Sequence, residues 1–462
     1  MPSTIASYVS DHQEQILDEL FEFLRIPSIS AQPERAGDVR AAAEWLRDAL
    51  NRAGLEGARL IEGDGHPLVA AEWLHAPGSP TVLFYGHYDV QPPDPIDEWK
   101  SAPFEPELRG ENIYARGAAD DKTPTLLWVK ALEACMATMG ELPVNVRVLC
   151  EGEEESNGAH ISSWLQHNAA AIPADVVVVC DTEMFAKEWP AITVGLRGIV
   201  YVEIEVQGAR SDLHSGQYGG AAPNALMAAA EIVTALKDRE GRIRIPGFFD
   251  DVETPSEAER EKWKLLPFDE AEYLEQEIGA TALTGEPGYP VLERLWARPT
   301  LEVHGIKGGY TGNGAKTVIP AKATIKLSCR LVPNQIPDDI ERKLRAAVKA
   351  ATPLGITTTL TMLGSAPASL VDPTHPYLQL ALETMSGHFA NPATLIRSGG
   401  AIPIAGEFQH TLGAPCVLLG FGLPDDNLHA PNEKMYLPNF WRGIEVVADY
   451  LVKLGKSVPV AK

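Results

Sequence analysis

Lysine and arginine form no run anywhere in this chain of 462 residues, and the formal net charge is −24. A protein that holds nucleic acid must neutralise phosphates with clustered cations, so no nucleic-acid partner is expected. The overall sign says little about a small substrate, because the local field of a site can oppose it. Cysteine is scarce. Cys135, Cys150, Cys180, Cys329 and Cys416 contain no Cys-x-x-Cys pair, and most lie in apolar runs. They read as buried free thiols in a reducing compartment. No apolar run reaches the ~18 residues a membrane span needs, and no charged-then-apolar leader opens the chain. Internal repeats and low-complexity tracts are absent as well. The expectation is a soluble cytoplasmic protein with no membrane partner.

What is present is an ordinary globular composition, 45% hydrophobic and 22% charged, on a chain longer than one core usually holds. Two domains are expected. Residues 1–197 alternate helical and strand patterns. Helices are expected near 4–25, 36–54, 122–139 and 158–168, and strands at 68–73, 81–85, 144–150 and 176–180. Strands separated by helices predict an α/β fold, with a central sheet covered by helices on both faces. After Gly195-Leu-Arg-Gly198 the pattern changes. Residues 201–206 alternate apolar and polar as a half-solvated strand does. A helix at 222–238 and an elaborated segment rich in Pro, Glu and Asp at 246–299 follow. Next come a strand at 324–331, a helix at 338–350 and a strand at 356–362. The α/β pattern resumes beyond His375, with a strand at 415–419 and a helix at 439–454. Residues 198–370 therefore read as an α+β domain inserted into a catalytic domain made of 1–197 and 371–462.

The candidate chemistry sits where strands end, which is where ligands bind in open α/β sheets. In Tyr85-Gly-His-Tyr-Asp-Val-Gln-Pro92, His87 and Asp89 are two apart and point the same way. Asp89 can serve the second nitrogen of a metal-bound His87. The pair also reads as a surface turn. Asp120-Asp121 precedes the helix at 122–139; either residue can cap it, or one can cap while the other bridges two cations. Glu154 and Glu155, in Leu149-Cys-Glu-Gly-Glu-Glu-Glu-Ser156, point in different directions. One can bind metal while the other, its pKa raised by burial, exchanges a proton with water. A solvated acidic loop is the alternative. Asp181 ends a buried strand, where a carboxylate is costly unless paired or metal-bound. His429 lies in a polar loop and reads equally as a surface histidine. A second group comprises His214 in Asp212-Leu-His-Ser-Gly216, the turn-rich 309–317, Arg330 at a strand end and Ser398-Gly-Gly-Ala401. Arg330 can hold a carboxylate bidentately, and Gly399 and Gly400 allow close backbone approach. Plain turns and a surface arginine are the alternatives. No single station is specific; their joint occurrence is.

The ordered set His87-x-Asp89, Asp120-Asp121, Glu154-Glu155, Asp181 and His429 resembles the co-catalytic zinc metallopeptidases of the aminoacylase, carboxypeptidase and dipeptidase family. Within that family the chain is most similar to the carnosinase and cytosolic nonspecific dipeptidase branch. The similarity covers nearly the whole chain, and Gly-Leu-Arg-Gly, Asp-Leu-His-Ser-Gly, Gly-Gly-Tyr-Thr-Gly and Arg-Leu-Val-Pro-Asn add to it. The resemblance implies that Asp120 bridges two metals, with His87 and Asp181 completing one site and Glu155 and His429 the other. It implies that Asp89 orients His87, that Glu154 is the general base, and that the Asp120-Asp121 bond is cis. His214 would reach from the lid of one subunit into the partner's active site, in a homodimer held through the inserted domain. Thr317, Arg330 and His375 would contact substrate, with Arg330 taking its C-terminal carboxylate. One departure is Gly399-Gly400-Ala401, where the dipeptidase branch tends to carry Gly-Gly-Ser; the change removes a hydroxyl near the substrate.

The function expected is a two-metal hydrolase that cleaves dipeptides or short peptides beside a free carboxylate. Zinc is the default ion, with manganese plausible for a carboxylate-rich site and cobalt a possible substitute. The alternatives are a deacylase of N-acyl amino acids with the same machinery and a catalytically silent binding relative.

Overall fold

The protein is described here as a computed structural model that covers residues 4–156, 158–400 and 402–457. The chain forms two compact units. Unit 1 comprises Met1–Val194, Val371–Ile396 and Glu407–Lys462; unit 2 comprises Gly195–Leu370 and Arg397–Gly406. The chain leaves unit 1 after Val194 and returns to it at Val371. The grouping of 397–406 with unit 2 was not anticipated.

Unit 1 opens with α1 (Ile5–Asp11) and α2 (Gln13–Leu24), where one helix was expected. His12, at φ −115° and ψ 12°, breaks the path, yet Val9, Ile16, Leu20, Phe23 and Leu24 are all buried. The chain continues through α3 (Ala36–Arg52), β1 (Glu56–Ile61), β2 (Leu68–Trp73), β3 (Thr81–His87), α4 (Lys122–Met139), β4 (Asn145–Glu151), α5 (Ala159–Asn168), β5 (Val176–Val179) and β6 (Ala191–Leu196). Unit 2 contributes β7 (Gly198–Gln207), α6 (Ala225–Leu236), β8 (Thr300–Gly308), β9 (Lys322–Leu331), α7 (Pro337–Ala351) and β10 (Thr357–Ala366). Back in unit 1 come α8 (Pro376–His388), β11 (Cys416–Leu419) and α9 (Leu437–Lys456).

The large sheet runs β1-β2-β4-β3-β5-β11-β6. Its centre, β4-β3-β5-β11, is parallel. Val82, Leu83, Phe84 and Tyr85 are fully buried. Successive side chains of a strand point to opposite faces, so both faces of the sheet are covered. Phe84 stacks on Trp128 of α4 at 5.1 Å between ring centroids, and Tyr85 meets Phe408 edge-on at 5.5 Å. α4 is apolar nearly all round and correspondingly buried; it stops at Gly140, whose φ of 79° suits glycine. The edge strand β1 escaped sequence reading because half-exposed Glu56-Gly-Ala-Arg-Leu-Ile61 has no clear period of two.

In unit 2 an antiparallel sheet runs β8-β9-β7-β10. Val200, Val202, Ile204 and Val206 of β7 face Ala225, Ala229 and Ile232 of α6 and Ile340, Leu344 and Val348 of α7 in one core. Sheet and helices share this core, which makes unit 2 an α+β unit. β8, at Thr300–Gly308, lies between the elaborated segment at 246–299 and the strand expected at 324–331, where no strand was expected. All the cysteines are buried and free.

Candidate metal centre and active site

The site is built beyond the carboxyl ends of the parallel strands of unit 1. His87 is the last residue of β3, in register with Glu151 at the end of β4. Gly86 brings this strand end against α4: a Cβ there would meet Thr125 Oγ1 at 2.2 Å and Asp121 Oδ2 at 3.0 Å. The Asp121 carboxylate accepts from His87 N at 3.1 Å and from Thr125 Oγ1 at 2.8 Å. Asp121 thus occupies the N-cap position of α4 without capping it through its side chain; it fastens helix to strand instead.

His87 Nε2 lies 2.9 Å from Asp120 Oδ1 and 3.7 Å from Asp181 Oδ2. Its Nδ1 faces Asp89, 3.1 Å from the carbonyl and 3.3 Å from the carboxylate. The other oxygen of Asp120, Oδ2, lies 2.8 Å from His429 Nε2, and that nitrogen lies 3.3 Å from Glu155 Oε2. Two ligand sets result, His87-Asp120-Asp181 and Asp120-Glu155-His429, with ligand atoms within 4.8 Å of one another in each. Asp120 belongs to both, one oxygen to each. The bond from Asp120 to Asp121 is cis.

The 87–91 loop also fixes Glu155. Asp89 Oδ2 accepts from Glu155 N at 3.1 Å, and Gln91 Nε2 donates to Glu155 Oε2 at 2.8 Å. Glu154 beside it is half-buried. His429 adopts a left-handed backbone at φ 59° and is half-exposed, whereas His87 is fully buried.

Six carboxylates (Asp89, Asp120, Asp121, Glu154, Glu155 and Asp181) crowd two imidazoles, and the electrostatics follow. Burial works against a charged His87, but hydrogen bonds to Asp120 and Asp89 hold its pKa well above the ordinary imidazole value. Hydrogen bonds to Asp120 and Glu155 lift His429 to about 10. Asp120 sits well below the usual carboxylate range; burial opposes this and the two histidines impose it. Burial, reinforced by neighbouring carboxylates, pushes Asp181 well up and Glu154 to about 7. Asp121 also rises to about 7, chiefly through burial. Such a site demands positive charge, supplied by protons on the histidines or by cations in their place. Hard oxygen and imidazole donors suit zinc or manganese.

Sequence reading missed Gln91, Arg116 and Glu433. The carboxylate of Glu433 is fully buried under the loop that carries Asp120. Nothing in Pro431-Asn-Glu-Lys434 distinguishes it from a solvated acidic turn.

Of the second group, unit 2 brings His214 and Thr317 together. Leu213 and His214 pair with Ile319 and Val318, and Ser215 N donates to Thr317 O at 3.1 Å. Arg330 lies on β9 opposite Ile199 and Thr300. Gly399 and Gly400 hold Arg197: its Nε donates to Gly399 O, and its backbone amide to Gly400 O, each at 3.2 Å. Ala401 lies outside the described residues. His375 is in unit 1 as the N-cap of α8, its Nδ1 accepting from Tyr377 N at 3.3 Å.

Paired ligand sets sharing one carboxylate define the class of site: one suited to two metal ions. Comparison with known proteins supplies the family. The model of Peptidase family M20/M25/M40 matches residues 83–453, and the chain belongs to that family. It is a metal-dependent peptide hydrolase. It is 30% identical over 466 residues to a Cys-Gly metallodipeptidase, dug1, of Schizosaccharomyces pombe, with 98% of each chain covered. It is 32% identical to a Beta-Ala-His dipeptidase of Mus musculus, over 97% of this chain and 95% of the relative. Among solved structures, the metallo-carboxypeptidase Sso-CP2 from Sulfolobus solfataricus superposes with a TM-score of 0.84 at 32% identity, covering 96% of this chain and 99% of the other.

Proposed function

We propose that the protein hydrolyses dipeptides or short peptides beside a free C-terminal carboxylate. The observation that carries this reading is Asp120, with Oδ1 against His87 and Oδ2 against His429. His87, Asp120 and Asp181 would hold one divalent ion; Asp120, Glu155 and His429 would hold the other. When bound, such ions polarise the scissile carbonyl and acidify the attacking water. Asp89 keeps the His87 ring oriented through Nδ1. Glu154, lifted by burial to about 7, takes a proton from the water as its oxygen attacks the carbonyl carbon. It returns that proton to the amide nitrogen as the C–N bond breaks, leaving a carboxylate and an amine. Arg330 takes the substrate's terminal carboxylate, with Thr317, His375, Gly399 and Gly400 as further contacts. His214, acting from the partner subunit of a homodimer built through unit 2, stabilises the developing oxyanion. The metallodipeptidase relatives support the dipeptidase reading, and a cytoplasmic location is proposed with it; no helix among the described residues is long and apolar enough to cross a membrane.

The test is a substrate panel assayed before and after chelation. An unblocked dipeptide should be cleaved, its C-terminally amidated counterpart poorly, and chelation should abolish cleavage until zinc, manganese or cobalt is returned. Preference for an N-acyl amino acid over every dipeptide would replace the reading with a deacylase. Failure of the metal-loaded protein on the whole panel would leave a binding relative.

A further inference from the structure

Glu433 makes more contacts with the Asp120 loop than any candidate ligand does. Its Oε1 accepts from Ala119 N at 2.8 Å and from Asp120 N at 3.0 Å. Its Oε2 accepts from Gly117 N at 2.9 Å and from Arg116 Nη1 at 2.7 Å. Both side chains of the ion pair are essentially without solvent contact. Arg116 reaches further, with Nη2 donating to Pro92 O at 3.3 Å in the segment that follows His87, Asp89 and Gln91. The backbone returns the contact: Ala115 N donates to Glu433 O at 3.2 Å.

A buried charge is costly unless paired and hydrogen-bonded. This one is satisfied by three backbone amides and a guanidinium, so its oxygens have no capacity left for an ion. The position matters because of sequence distance. Glu433 is four residues beyond His429 in the same loop, and its amide partners end at Asp120 itself. One carboxylate therefore ties the segment supplying His429 to the segment supplying the shared ligand. Among the described residues His429 has no comparable support of its own: it is half-exposed and left-handed, and its ring contacts are Asp120 and Glu155. His87, by contrast, ends a buried strand and has Asp89 behind it.

We propose that Glu433, locked by Arg116, is the positioning residue of the centre, holding Asp120 and His429 in register so that the His429-Asp120-Glu155 set can bind its ion. The asymmetry is part of the proposal. The His429 set depends on Glu433 for two of its three ligands, whereas the His87 set depends on it for Asp120 alone.

This rests on the two-ion reading above, and the test separates the two. Metal-free protein is titrated with cobalt(II) chloride, and visible absorption follows each equivalent. Wild type should take up two equivalents; if it does not, the two-ion reading itself fails. Glu433→Gln puts an amide where three N–H groups and a cation point. It should keep one tight equivalent and weaken the second by ~10–100-fold, the usual effect of removing a group that orients a ligand. Leu50→Ala, which opens a cavity in α3, controls for lost stability and should leave both equivalents unchanged. Unchanged cobalt binding by a folded Glu433→Gln overturns the proposal. So does equal weakening of both equivalents, or the same loss in Leu50→Ala. Should Glu433→Gln fail to fold, Arg116→Lys is titrated in its place. It keeps a cation and the amide cradle but loses the reach to Pro92 O, and unchanged binding there overturns the proposal equally.

Discussion

Glu154 and Glu155 are adjacent and chemically alike, yet their surroundings differ. Glu155 is fixed by Gln91 and by Asp89 and faces His429. Glu154 is raised to about 7, mostly by burial. Glu154→Gln should therefore lower kcat by at least ~10²-fold, the usual loss for a general base, with metal content intact by elemental analysis. Glu155→Gln should instead lose metal, and the reverse pattern would swap the two roles. Proton linkage gives a second check on the same residues. Burial lifts Glu154 above its ordinary 4.5, and Asp120 lifts His429 from 6.5 to about 10. A group with a raised folded value contributes stability in full below its unfolded value and loses it as pH climbs through the folded one. The windows are thus 4.5 to about 7 for Glu154 and 6.5 to about 10 for His429. The depressed Asp120 acts only in acid, outside these windows. The melting temperature of chelated protein should fall between about pH 5 and pH 8, and added metal should reverse the fall. A midpoint that rises or stays level across that range contradicts the electrostatics.

At the scale of elements, the site depends on how closely β3 approaches α4. Gly86 permits that approach, and Thr125 and Asp121 fill the space a side chain would need. Gly86→Ala should displace them and cost ~1–3 kcal/mol, as overpacking a dense core does, lowering the melting temperature and weakening metal retention together. Wild-type behaviour in both measurements would mean that the β3–α4 contact is softer than its distances indicate. The elements themselves were legible to different degrees. β2, β3, β4 and β5 announced themselves as apolar runs because both their faces are buried. β1 and β8 did not, since half-solvated edges with charged residues carry no such signal. The break at His12 was hidden for the opposite reason: α1 and α2 keep one apolar face across the interruption.

At the scale of the whole molecule, the role proposed for His214 depends on assembly. His214 and Thr317 lie together in unit 2, while every proposed metal ligand lies in unit 1. Isologous dimers are the commonest assembly. If His214 serves the partner's centre, His214→Ala and Glu154→Gln, each inactive alone, should complement each other after subunit exchange. In a mixed dimer one site carries both defects and the other neither, so up to about half of the heterodimer sites should recover. No recovery despite exchange shown by differently tagged subunits would confine His214 to its own chain or remove it from the reaction.

The sequence by itself determined the α/β pattern and placed the candidate ligands at strand ends, because apolar periodicity and strand-end chemistry are local properties that survive without coordinates. Only the tertiary structure decided which oxygen of Asp120 faces which histidine, that Asp121 braces a strand instead of capping a helix, and that Glu433, Arg116 and Gln91 belong to the site. Those outcomes depend on burial and on contacts between segments up to 317 residues apart, as between Arg116 and Glu433. A buried carboxylate under a ligand loop and a solvated one on a turn are the same letter in a sequence; what separates them is whether the fold removes water and brings amide donors in its place.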